Sequence, residues 1–205
     1  MKFIYIIPFL LILSCKKNSG NFTIKGKISD TTFGTGLSDA TVSLYQVPAG
    51  TETPALIAST TISSDGMYSF EFKREKMDKY ILKTYKKNYF NIDETIYFSS
   101  LTLEEDNVRD FSTTAKSWVK LRFFNSNPDV NDKLTFRKQA GKKLCLECCA
   151  DADQYLYGAA DTSIYCINDG NNLYSYFYEV AFTSNQGIKS ATTVPFDTTE
   201  IYLNY

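Results

Sequence analysis

Residues 22–29, FTIKGKIS, alternate without a break. Phe22, Ile24, Gly26 and Ile28 fall on one side of an extended chain. Thr23, Lys25, Lys27 and Ser29 fall on the other. A period of two marks a strand with one face in a core and one in water. An antiparallel sheet with one solvated face reads in this way.

The pattern recurs on both sides of the first loop. Residues 40–47 place Ala40, Val42 and Leu44 on one face. Residues 55–62 and 67–72 flank Ser64-Asp65-Gly66, and Asp-Gly suits a tight turn with positive φ. Together they predict a hairpin. Residues 80–85 and 94–98 add two strands, and residues 71–79 connect. Residues 104–110, EEDNVRD, form an acidic break. Glu104, Glu105 and Asp106 lack the flanking ligands of a calcium cage, so they read as a solvated turn.

A second β unit follows. Val119, Leu121 and Phe123 oppose Trp118, Lys120, Arg122 and Phe124. Residues 134–137, 143–149 and 163–167 are further strands. Residues 168–172, NDGNN, are a turn, and residues 173–183 read as a long strand. Residues 188–194 and 200–205 complete the set. The expectation is an all-β protein: two consecutive antiparallel β-sandwich domains, over residues 22–112 and 116–205, the second immunoglobulin-like. No sequence repeat links the halves.

Composition narrows the chemistry. Lys and Arg number 22 against 23 Asp and Glu, so no basic surplus points to nucleic acid. Histidine is absent, which removes the commonest general base and metal ligand. No catalytic residue, metal or cofactor is expected. Fifteen Tyr and fifteen Phe supply strand formers and core.

Residues 1–15, MKFIYIIPFLLILSC, carry one lysine, an apolar run from Phe3 to Leu13, a serine and a cysteine. The run is shorter than the ~20 residues a spanning helix needs, and reads as an export signal. Ile12-Leu13-Ser14-Cys15 resembles the lipobox of bacterial lipoproteins. The resemblance implies that the thiol of Cys15 receives a diacylglyceryl group. Cleavage then removes residues 1–14, and the new amino terminus is acylated. Membrane lipid is thus an expected partner, through Cys15, with residues 15–21 as a tether. Lys16, where an Asp would retain a proteobacterial lipoprotein at the inner membrane, implies the outer membrane.

A second resemblance lies between residues 21 and 103. Gly36-Leu37-Ser38-Asp39-Ala40-Thr41-Val42, then Thr61 with Asp65-Gly66-Met67-Tyr68-Ser69-Phe70, then Tyr80-Ile81-Leu82 to Asn88-Tyr89, are similar to the carboxypeptidase regulatory-like (transthyretin-like) domain. That family is a seven-stranded sandwich with an accessory role. Its usual proline and glycine are replaced here by Gly36 and Asp39. Its glycine before the late tyrosine is replaced by Asn88, and Asn tolerates left-handed φ.

Four cysteines remain after Cys15, and export favours their oxidation. Four allow three pairings. If residues 144–149 are a strand, Cys148 shares a face with Leu144 and Leu146, and Ile164 and Cys166 face inward together. Alternation therefore favours a Cys148–Cys166 disulfide. Buried free thiols are the alternative, and Cys-x-x-Cys-Cys lacks the paired spacing of a zinc site. Tyr174, Tyr176 and Tyr178 form a stripe that suits either the inward face of a core strand or stacking on sugar rings. Asp129, Asn131, Asp132, Asp151 and Asp153 read as turn residues, and Glu179 as a rim carboxylate. The function expected is a lipid-anchored, non-catalytic docking or scaffold module of the cell envelope, its partner an envelope protein or a glycan. A glycan-binding lipoprotein and a carboxylate-dependent hydrolase are the alternatives.

Overall fold

The computed structural model describes residues 20–145 and 147–205. The export signal, Cys15 and Lys16 lie outside the described residues. Within them the chain is all-β. The first unit contains β1 (Asn21–Asp30), β2 (Thr35–Gly36), β3 (Thr41–Val47), β4 (Ala55–Thr61) and β5 (Met67–Lys73). It continues with β6 (Lys79–Tyr85), β7 (Ile92–Tyr97), β8 (Asn107–Val108) and β9 (Phe111–Thr113). The second unit contains β10 (Lys116–Phe124), β11 (Lys133–Ala140), β12 (Gln154–Tyr157) and β13 (Asp161–Asp169). It closes with β14 (Leu173–Val180), β15 (Gln186–Thr192) and β16 (Thr198–Asn204).

Each unit is a sandwich of two sheets over its own core. Phe22, Ile24, Ile28, Val42, Leu44, Tyr80 and Leu82 are buried in the first, as the alternation demanded. Val119, Leu121, Phe123, Leu134, Phe136 and Leu203 are buried in the second. Asn88 is left-handed as expected, with φ of 64°, and Asp39, in the family's glycine position, is left-handed too, with φ of 54°.

The two units share one strand order, which no sequence repeat announces. In the first, β5-β1 with β8 and β9 faces β4-β3-β6-β7. In the second, β13-β10-β16 faces β12-β11-β14-β15. The last strand of each unit runs parallel to the first: β8 and β9 along β1, and β16 along β10. One sheet of each unit is therefore mixed, while β4-β3-β6-β7 and β12-β11-β14-β15 are antiparallel throughout, as expected. Gly26 is required where the last strands change over. A Cβ there would lie 1.9 Å from the carbonyl oxygen of Arg109.

Three local expectations are corrected. Residues 55–72 are not a hairpin: Asp65-Gly66 does turn the chain, but β4 pairs with β3 and β5 with β1, in opposite sheets. The acidic break contains β8, because Asn107 is buried and donates to the carbonyls of Thr23 and Thr102, both at 3.0 Å. The strand from residue 173 ends at Val180. Phe182, in phase with its buried face, sits in the turn at φ 63° and is fully exposed.

Candidate functional site

The chain passes from one core to the other through Thr114 and Ala115. A free two-residue link would leave backbone groups in water. Here both units bind them. Ala115 N–H donates to Thr32 Oγ1 at 2.9 Å, and the Ala115 carbonyl accepts from Gly170 N at 2.8 Å. Lys116 N–H donates to the Asn88 carbonyl and its own carbonyl accepts from Phe196 N, both at 2.8 Å. Rings close over the link: Phe196 lies 5.9 Å from Phe33 and 5.5 Å from Tyr89. Behind them, buried Asp30 accepts from Tyr89 Oη at 2.7 Å and from Thr32 N at 2.9 Å. That pair of bonds fixes the turn bearing Thr32 and Phe33 against the second unit. Lys142 completes the junction. Its ammonium sits 4.1 Å above the Phe90 ring and 2.7 Å from Asp169, which also accepts from the Thr114 hydroxyl.

The cysteines stand beside this junction. Cys145 bonds to Cys148 and Cys149 to Cys166, with Cα separations of 5.3 Å and 5.2 Å. The expected Cys148–Cys166 pair is thus corrected. Its premise, a strand over residues 144–149, fails. Leu144 and Cys149 have positive φ, and Cys148 N–H turns back to the Cys145 carbonyl at 3.2 Å. Cys148 therefore meets Cys145, which leaves Cys149 to reach β13. The loop also covers the free edge of β13, where Ile167 N–H donates to the Glu147 carbonyl at 3.0 Å. Closing 17 residues, the Cys149–Cys166 bond restricts the unfolded chain far more than its neighbour does. Its loss through Cys149→Ala with Cys166→Ala is expected to cost about 3 kcal/mol. A fall in urea midpoint, together with a cross-linked 149–166 peptide in non-reducing mass maps, checks both the pairing and the cost.

One lysine holds the loop. Lys138 follows Leu134 and Phe136 on the inward face of β11. Its Nζ is buried and donates to three carbonyls: Lys142 and Cys148 at 2.8 Å, and Cys149 at 2.6 Å. Asp151 Oδ1, at 2.9 Å, supplies the counter-charge, and that bond holds its carboxyl below the usual carboxylate range.

The tyrosine stripe is core. Tyr174 and Tyr176 are 1% and 0% exposed, and Tyr178 is half-buried at the rim with its hydroxyl 3.3 Å from Asn185 Oδ1. Tyr174 and Tyr176 cannot meet a sugar. Tyr174 Oη lies 3.3 Å from Cys166 Sγ, while Tyr176 Oη is buried without a partner.

Carboxylates serve local structure. Asp132 accepts from Asn125 Nδ2 and Asp129 N, both at 2.8 Å, and Asp65 accepts from Ser63 and Met67 N. These bonds hold both below the usual range, the opposite of what a general acid needs. In the groove between β7 and β9, Asp93 is tied to Lys83 at 2.9 Å and Asp110 to Lys27 N at 2.7 Å. Glu179 is exposed, as expected of a rim residue. Among the described residues no group of three or more Cys, Asp or Glu converges to hold a metal ion. A cleft of about 390 Å³ opens between the units, lined by Phe90, Asn91, Ser112, Thr114, Lys142 and Lys143 among others, and no carboxylate lines it.

No protein-family profile matches this chain, and no curated protein sequence matches it. Among solved structures it is similar to the TIE protein of Bacillus anthracis, at 12% identity and TM-score 0.35. That match covers 90% of this chain and 34% of the other, so this chain spans about a third of it. It is also similar to the shaft pilin SpaA of Lactobacillus rhamnosus GG, at 8% identity and TM-score 0.34, covering 91% and 97%. The minor pilin GBS52 of Streptococcus agalactiae matches at 13% identity and TM-score 0.34, covering 91% and 95%. Scores this low carry no function from those proteins to this chain.

Proposed function

We propose that this chain is a lipid-anchored, non-catalytic docking module of the cell envelope, which holds its second sandwich in a fixed orientation on its first. The junction carries the reading. A linker whose backbone groups bond to both units transmits position, whereas a flexible tether would not. Two cores, each closed and filled by its own side chains, leave the outer sheet faces and loops for a partner. The lipobox resemblance supplies the anchor: acyl chains on Cys15, with Lys16 directing the protein to the outer membrane. The transthyretin-like resemblance of residues 21–103 supports an accessory role.

The anchor is tested by Cys15→Ala and cell fractionation. The parent protein is expected in the membrane fraction and the variant in the soluble envelope fraction. A variant as fully membrane-bound as the parent overturns the reading.

A further inference from the structure

The outward face of the β13-β10-β16 sheet carries the rings that the tyrosine stripe does not offer. In register across it lie Ile167, Trp118 and Thr198, then Tyr165, Lys120 and Glu200, then Ser163, Arg122 and Tyr202. Tyr165 is 63% and Tyr202 47% exposed; Trp118 is half-buried one row beyond Tyr165, on the side away from Tyr202, and Lys120 and Arg122 lie between the two tyrosines. Strand spacing and rise put Tyr165 and Tyr202 about 12 Å apart, with Trp118 about 8 Å from Tyr165.

The fold does not require these rings. The topologically equivalent face of the first unit carries Thr23, Lys25 and Lys27 on β1, Met67, Ser69, Glu71 and Lys73 on β5, and Val108 on β8. Met67 and Val108 are its exposed apolar residues, and no aromatic ring stands among them. The charges on the aromatic face cancel. Lys120 Nζ lies 2.6 Å from Glu200, and Arg122 pairs with Asp161. Neither a polyanion nor a polycation finds net charge to meet.

We infer that this face binds a neutral glycan chain, with Trp118, Tyr165 and Tyr202 stacking on pyranose rings and the paired charges hydrogen-bonding the hydroxyls between them. A sugar presents apolar C–H faces flanked by polar edges. An aromatic plane set among charged donors and acceptors complements both at once. Tyr and Trp supply that area at low entropic cost. The site is an open plane, which suits a chain lying across it rather than a small molecule enclosed by it. This inference deepens the docking role and rests on it.

Trp118 is the only tryptophan in the chain, so its fluorescence reports on this face alone. The test uses the full-length protein in detergent on an array of neutral hexose and N-acetylhexosamine oligomers, with uronic-acid oligomers as the second arm. Each binding oligomer is then titrated against Trp118 emission. The expected result is binding to neutral oligomers with a shift in that emission. Tyr165→Ala with Tyr202→Ala should weaken binding at least about tenfold, with an unchanged melting temperature because both rings are exposed. Four outcomes overturn the inference: no neutral oligomer binds, only uronic-acid oligomers bind, the double variant binds as before, or binding leaves Trp118 emission unchanged. A protein partner lost in the double variant, with no glycan bound, also overturns it. Each of these leaves the Cys15→Ala fractionation result untouched, so failure here is distinct from failure of the anchor.

Discussion

Lys138→Met is expected to lower the stability of the second unit by about 3 kcal/mol. The substitution is close in volume, so little packing is lost. What goes is the donor. The carbonyls of Lys142, Cys148 and Cys149 lose their common partner, and Asp151 loses its counter-charge. A buried acceptor left without a donor costs ~1–3 kcal/mol; here the Cys148 carbonyl is buried and those of Lys142 and Cys149 are partly so. The loop relaxes toward water and recovers part of that, which keeps the total below the sum. The measurement is the urea midpoint at constant slope, read on the second unit through Trp118. Arg137, the neighbouring cation on β11, is the control. It faces solvent, lies 3.5 Å from Asp153 and is half exposed, so Arg137→Met is expected to change stability by less than ~1 kcal/mol. Equal effects at the two positions would refute the role given to Lys138.

The second large effect is alkaline unfolding. Burial pushes the phenols of Tyr68, Tyr174 and Tyr176 above their ordinary value near 10. A group whose folded value is raised holds its proton longer when folded than when unfolded. Its contribution is therefore whole below pH 10 and is lost as pH rises from there through the folded value. Each such group costs about 1.4 kcal/mol per pH unit in that window, so these three alone give a slope of about 4 kcal/mol per unit, and Tyr80, Tyr89 and Tyr205, raised chiefly by burial as well, steepen it further. Stability should be flat from pH 8 to 9.5 and fall steeply beyond 10. Tyrosinate absorbance should appear together with loss of structure rather than before it. Tyr176→Phe separates this from general alkaline damage. Its hydroxyl is buried without a partner, so the variant should be at least as stable at pH 8 and show a slope shallower by one group's share, about 1.4 kcal/mol per pH unit. A variant with the parent's slope would place the alkaline sensitivity elsewhere.

Both effects arise where the sequence was hardest to read. The alternation on β11 is legible through Leu134 and Phe136, then reaches Lys138 in the same phase. A charged residue at an inward position reads as the end of a strand. The strand continues, because the ammonium finds its partners in a loop that comes back from residues 142–151. Likewise, three tyrosines in phase on β14 predict a face of phenols. Nothing local says whether that face meets water or another sheet.

The exposed rings were legible as well, in part. Alternation placed Trp118 opposite Val119 and Leu121. It could not place Tyr165 and Tyr202 beside it, since that juxtaposition depends on β13 and β16 flanking β10. The disulfides failed for a related reason. Alternation reads residues 144–149 as a strand, and left-handed Leu144 and Cys149 turn that run into a loop.

By itself, then, the sequence determined the all-β class, the position of most strands and which residues of each strand share a face. Those properties follow from the steric period of an extended chain, and they are local. The tertiary structure alone decided which strands pair, that the two units repeat one strand order, which cysteines meet, and which aromatic face is core and which is surface. Each of these depends on contacts between residues far apart in the chain. A two-residue period states that two faces differ, and is silent on what each face meets.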